Sequence, residues 1–142
     1  MTQHQIEHLL TQHGLRITPN RISIYEAMAQ QKNTFSLIDI EDALLRLDKS
    51  TIFRTMILFE EQSLIHSIED GTGSKKFCIC PNHGDCQVNE NHCHFHCEIC
   101  GKTICLDQVT VPMVHLPEGF RPKHVNYIIK GICDECAQKG KL

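Results

Sequence analysis

Two Cys-x-x-Cys pairs, Cys97-Glu98-Ile99-Cys100 and Cys133-Asp134-Glu135-Cys136, carry the clearest chemistry in this sequence. The first is entered through His92-Cys93-His94-Phe95-His96. Two residues between cysteines let both thiolates face one cation from a tight knuckle, and two knuckles supply the four sulfurs of a tetrahedral zinc. Gly101 suits the turn after the first pair. The stretch between the pairs is longer than in a short zinc ribbon, so the knuckles should clip together separate elements of one small domain. The competing reading is two disulfides or buried free thiols. An odd total of nine cysteines opposes a fully oxidised framework. His92 and His94 alternate along a strand-like run, share a face, and can therefore reach one ion.

Other chemistries lack their residues. A zinc hydrolase needs an open coordination position and a positioned base, and no His-Glu-x-x-His or comparable constellation occurs. A dithiol oxidoreductase places its Cys-x-x-Cys at a helix start after a strand, whereas each pair here closes a knuckle. The expectation is a protein that is not an enzyme. The 142 residues contain no tryptophan and no apolar run long enough to cross a bilayer. Met1 to His13 lacks the positive head and apolar core of a signal peptide, so a cytoplasmic location is expected. A formal net charge of -3 gives no bulk attraction to nucleic acid, and any DNA contact must rest on a local surface.

The pattern changes near residue 78, giving a first domain over 1–79 and a second over 80–142. In the first, Ile6, Leu9 and Leu10 mark an amphipathic helix ended by Gly14. Thr18 caps a second helix with Pro19 at its first position and Ile22, Ile24, Tyr25 and Met28 inward. Ser36 caps a third helix carrying Ile40, Ala43, Leu44 and Leu47. After a turn at Asp48-Lys49, Ser50 caps a fourth helix, Thr51 to Glu61, burying Ile52, Met56 and Phe59. Leu64 to Ile68 and Lys75 to Ile79 then flank Glu69 to Ser74 as a β-hairpin. A helix-turn-helix followed by a hairpin is a winged helix. Its fourth helix would enter the major groove with Ser50, Thr51, Phe53 and Arg54, while Lys75 and Lys76 of the wing position the phosphate backbone. The alternative is a helical core with a solvated charged face.

Leu15-Arg16-Ile17-Thr18-Pro19-Asn20-Arg21, Ser50-Thr51-Ile52-Phe53-Arg54-Thr55, His92-x-His94-x-x-Cys97-x-x-Cys100-Gly101, Gly119-Phe120, and His124 ahead of Gly131-Ile132-Cys133-x-x-Cys136 resemble, in order and spacing, the ferric uptake regulator family. The resemblance covers almost the whole chain. It implies an α+β protein, an N-terminal winged helix-turn-helix followed by a small α/β zinc-binding dimerisation domain. It further implies a metal-responsive bacterial repressor that binds double-stranded operator DNA as a homodimer. Arg16 and Arg21 join the DNA-binding set on the same ground. Cysteines matching Cys97, Cys100, Cys133 and Cys136 hold a structural zinc in the family, and histidines matching His92 and His94 belong to a regulatory metal site between the domains.

The departures from the family pattern concern that second site. Positions commonly held by carboxylates in iron, manganese or peroxide sensors are Cys78 and Cys105 here, and an expected upstream histidine near Thr34-Phe35 is missing. Thiolates favour zinc over harder divalent ions. Cys80 and Cys86 add further donors around His83. The expected regulatory site is therefore zinc on His92 and His94, completed by Cys105, Cys86 or Cys80. Cys78 ranks behind Cys80, because strand alternation gives them one face. Among the remaining histidines, His4 and His8 read as a solvated helix face, His66 as a surface or cross-strand residue, and His96 and His124 as secondary donors at most. Phe53 replaces the family's usual tyrosine and Ile57 a more usual polar residue. A purely structural zinc module and a peroxide- or iron-responsive member of the same family are the alternatives.

Overall fold

The computed structural model describes residues 1–79, 92–123 and 125–140, with residues 92 and 107 given by their backbone alone. The chain forms two compact units, Met1–Cys86 and Gln87–Leu142.

The first unit runs α1 (Gln3–Gln12), α2 (Pro19–Ala29), β1 (Phe35–Ser36), α3 (Leu37–Ala43), α4 (Lys49–Glu61), β2 (Ile65–Ile68) and β3 (Lys76–Ile79). Local chemistry sets most of these ends. Thr2 and Gln5 form a capping box on α1, and Thr18 accepts from the Arg21 amide above Pro19 on α2. At the far end of α1, Gly14 takes φ +69°, the amide of Gly14 donates to Thr11 O at 3.0 Å and that of Leu15 to Leu10 O at 2.9 Å. That is the Schellman closure, and the buried pair Leu10 and Leu15 provides its apolar contact. The same closure ends α4, where the left-handed position at φ 59° is Ser63 rather than glycine.

Two helix boundaries differ from the sequence expectation. α3 closes at Ala43 because Leu44 leaves the helical region at φ -127° and, with Leu47, turns inward against the core. α4 starts at Lys49 with Asp48 as its N-cap, so Ser50 lies inside the first turn. The Ser50 hydroxyl donates to Asp48 Oδ2 at 2.5 Å, and neither side chain caps the helix.

Ile6, Leu10, Ile24, Met28, Ile40, Ile52, Met56 and Phe59 meet in one core, each essentially without solvent exposure. Burying a side chain of this size stabilises by roughly 1.5–3 kcal/mol. Tyr25 packs edge-on to Phe59 with centroids 6.1 Å apart, and burial pushes its hydroxyl pKa up to about 12. β2 and β3 form the expected hairpin, with His66 opposite Cys78. The two-residue β1 adds a third strand on the far side of β3, giving the order β1-β3-β2, and stacks Phe35 on Phe77 at 6.2 Å. The helices followed by this sheet make the winged helix.

The second unit comprises β4 (His92–Cys97), β5 (Thr103–Thr110), β6 (Tyr127–Gly131) and α5 (Asp134–Gln138). β4 is central, antiparallel to β5 and parallel to β6. Parallel neighbours need a long crossover, here the segment between β5 and β6, which the Tyr127 hydroxyl ties down by donating to Pro112 O at 3.3 Å. Among the described residues no helix is long and apolar enough to cross a membrane.

Candidate metal centres and nucleic-acid face

Parallel pairing of β4 with β6 ends in the register Cys97 opposite Gly131, so both knuckles leave the same end of adjacent strands. Cys97 closes β4. Gly101, at φ +74°, folds the chain back so that its amide donates to Cys97 O and the Cys97 amide to Lys102 O, both at 2.9 Å. Cys133 N-caps α5 and Cys136 sits in that helix's first turn. Gly131 is small for a packing reason: a Cβ there would lie 3.2 Å from the Phe95 ring, which covers the cysteine cluster.

The four sulfurs all lie within 4.8 Å of one another, and Cys100 Sγ and Cys133 Sγ are 3.8 Å apart. A tetrahedral zinc with bonds of about 2.3 Å spaces its sulfurs by about 3.8 Å. Disulfide bonding needs about 2.05 Å and is not the arrangement here, where all four are free thiols. The donor set thus fits a structural zinc held by four thiolates. Its surroundings divide chemically identical groups. Amides of Cys100, Cys133 and Ile99 direct hydrogen bonds at Cys97 Sγ, that from Cys133 at 3.3 Å, and lower its pKa to about 6. Burial, reinforced by the neighbouring thiols Cys133, Cys100 and Cys97, raises Cys136 to about 12. Metal entry must therefore displace protons. Lys102 straps the two knuckles through a 3.1 Å ion pair with Glu135. Hydrogen bonding to Glu135 first, and the charges of Glu135, Cys100 and Cys133 after it, raise the Lys102 pKa, so a cation stands beside sulfurs that carry net negative charge when metallated.

Each unit also presents one histidine–cysteine pair across adjacent strands. In the second, buried His94 lies opposite Cys105, and in the first, half-buried His66 lies opposite buried Cys78. The sequence reading set His66 aside. The signal that finds it is the hairpin register, which depends on how the loop closes. Cys93 points away from this pairing, opposite Leu106, and burial followed by the charge of Cys105 raises its pKa. His96 is buried with Nδ1 3.0 Å from Thr103 Oγ1. That bond gives it a structural partner, and it is buried rather than partly exposed. Cys80, Cys86, His124 and the His92 side chain lie outside the described residues.

On the winged helix, Phe53, Arg54 and Ile57 are exposed along α4 while Ile52, Thr55, Met56 and Phe59 face inward. Arg54 Nε reaches back to Ser50 O at 3.3 Å. Arg21 braces the α1–α2 connector by donating to Arg16 O at 2.7 Å, and Arg16 is exposed. The wing lysines differ. Lys75 pairs with Glu60 at 3.1 Å, largely in solvent, and lies over the Phe77 ring. Lys76 is paired at 3.1 Å with Asp70, whose side chain is fully buried. Asp70 also accepts from the Thr72 amide and hydroxyl. The Lys76 ammonium thus organises the wing.

Comparison with known proteins supplies the remaining finding. The model of the ferric uptake regulator family matches residues 12–117. The chain is 28% identical to the peroxide operon regulator of Bacillus subtilis (strain 168) over 98% of both chains. It is 26% identical to the zinc uptake regulation protein of Escherichia coli (strain K12), covering 94% of this chain and 80% of that one. A solved zinc uptake regulator complexed with zinc and DNA shares the fold, with a TM-score of 0.70 at 19% identity over 99% of this chain and 95% of the other.

Proposed function

The chain belongs to the ferric uptake regulator family, and from that premise we propose that it is a zinc-sensing repressor acting in the cytoplasm as a DNA-binding homodimer. Regulators of this family are metal-responsive and bind operator DNA. One observation carries the finer reading: the pairs His94–Cys105 and His66–Cys78 each oppose an imidazole to a thiol on adjacent strands. Imidazole and thiolate together suit zinc better than ferrous or manganous ions, which prefer harder oxygen donors. We assign the exchangeable ion to His92 and His94, completed by thiolate from Cys105, Cys86 or Cys80. Cys97, Cys100, Cys133 and Cys136 hold the permanent zinc.

DNA binding follows through linkage. A ligand shifts a conformational equilibrium only by binding one state more tightly, so these donors must be better arranged when the winged helices suit the operator. Arg54, Ser50, Thr51 and Phe53 then meet the groove, with Arg16, Arg21 and Lys75 at the phosphates.

The test is a metal count joined to DNA binding. Purified protein should hold one tight and one exchangeable zinc per chain and bind its own upstream region with zinc in preference to iron or manganese. His94→Ala and Cys105→Ala should keep the tight zinc and lose the metal response. Stronger activation by iron or manganese would overturn the zinc assignment. The likeness to a peroxide operon regulator supports a second reading, a peroxide- or iron-responsive member of the family. Release of DNA by micromolar peroxide from the iron-loaded protein, and not from the zinc-loaded one, would favour it.

A further inference from the structure

The first helix carries two imidazoles that neither the cysteine knuckles nor the strand donors use. His4 and His8 stand one turn apart on α1, and both are exposed. Residues spaced by four on a helix lie side by side, with β-carbons about 5–6 Å apart. Both side chains line one open groove together with Met1, Gln5, Leu9 and Gln12. Among the described residues, neither imidazole has a hydrogen-bond or ion-pair partner. His13, at the end of the same helix, is by contrast engaged, its Nδ1 lying 3.0 Å from Gln62 O. The helix also carries no lysine or arginine to repel a cation, and its Glu7 carboxylate is turned to Gln3, accepting from Nε2 at 2.9 Å.

We propose that His4 and His8 together chelate a late first-row divalent cation of the zinc or nickel type, at a site separate from both cysteine-bearing centres. Two ring nitrogens at positions i and i+4 are what one helix face offers a single ion in the His-x-x-x-His arrangement. Imidazole suits zinc, copper and nickel, and the carboxylates that manganese or magnesium prefer are absent from the groove. The site is weak and quick to exchange for two reasons. Only two side chains grip the ion, with water free to fill the open positions, and the positive end of the α1 dipole lies at His4 and opposes a cation there. Because the ion bridges successive turns, it should stiffen α1. The site holds whichever ion the regulator senses.

The probe is nickel(II), which does not oxidise thiols, added to isotope-labelled, zinc-loaded full chain from which excess metal has been removed. Substoichiometric nickel, a paramagnet, should broaden the amide resonances of residues 2–12 before those of any other element, and zinc(II) should compete and restore them. His4→Gln and His8→Gln should each weaken this binding about a hundredfold, since the second imidazole otherwise attaches intramolecularly. The double variant should then be little worse than either single one. Glutamine is a good helix former, so α1 survives both changes, which circular dichroism checks. Broadening that starts elsewhere and leaves residues 2–12 sharp overturns the inference. So does a pair of single variants that each keep the wild-type affinity at half the sites, the mark of two independent imidazoles.

Discussion

Replacing Cys133 with serine should unfold the second unit and leave the first intact. The reason lies in what each unit has for a core. The winged helix buries a continuous cluster from α1, α2, α4 and the hairpin. Among the described residues, the second unit's buried apolar cluster is Cys97, Cys133 and Cys136, with Phe95, Ile104 and Ile132 packed partly against it. Structural zinc sites bind with an apparent free energy of roughly 10–16 kcal/mol, so one of four thiolates carries on the order of 3 kcal/mol. Loss of the zinc forfeits the whole amount, which is comparable to the total stability of an ordinary domain, about 5–15 kcal/mol. Serine also withdraws the sulfur 3.8 Å from Cys100, and an alcohol does not deprotonate to replace it. Hydrogen exchange read by mass spectrometry resolves the two units. Amides of β4, β5 and β6 should lose protection in Cys133→Ser, while those of α1, α2 and α4 exchange as in the wild type. Wild-type protein treated with a strong chelator should match the variant. If Cys133→Ser lost its zinc and β4 to β6 stayed protected, the argument that metal replaces an apolar core there would be refuted.

Three further outcomes follow from particular contacts. Arg54→Ala should lower specific DNA affinity by roughly 1–3 kcal/mol, with zinc content and thermal stability unchanged, as measured by fluorescence anisotropy and calorimetry. Ser63→Gly should raise the stability of the winged helix by about 0.5–1 kcal/mol in urea unfolding, because relief of the left-handed strain at φ 59° exceeds the added freedom of the unfolded chain. Asp70→Ala should destabilise the wing by about 2 kcal/mol, since it strips Lys76 of its buried partner and Thr72 of its acceptor. Restored stability in the double variant Asp70→Ala with Lys76→Met would confirm the pair as the cause, and no recovery would reject it.

Much of the winged helix was legible because its instructions are local. Thr18 and Pro19 start a helix wherever they precede an apolar period, Gly14 ends one by adopting φ +69°, and six polar and glycine residues between alternating strands make a hairpin. Errors came where distant packing outvoted local preference. Leu44 and Leu47 continue a helical pattern, yet the core takes them in from a turn, and α3 stops early. Phe35–Ser36 is too short to announce itself as a strand and exists only because β3 offers a free edge.

The metal site divides along the same line. By itself the sequence determined which donors are present: four cysteines in two Cys-x-x-Cys pairs, imidazoles alternating along one strand, and further thiols at Cys78 and Cys105. These are properties of residue type and short spacing, which no fold can alter. Only the tertiary structure decided that the knuckles meet, since the separation between the two pairs has no geometry until β4 and β6 lie parallel and in register at Cys97 and Gly131. It also decided that Cys97 is acidified by amides while Cys136 is held protonated by burial, that His96 answers to Thr103, and that His66 faces Cys78. Register, burial and hydrogen-bond direction belong to pairs of residues brought together from afar, and a sequence specifies them only through the fold it adopts.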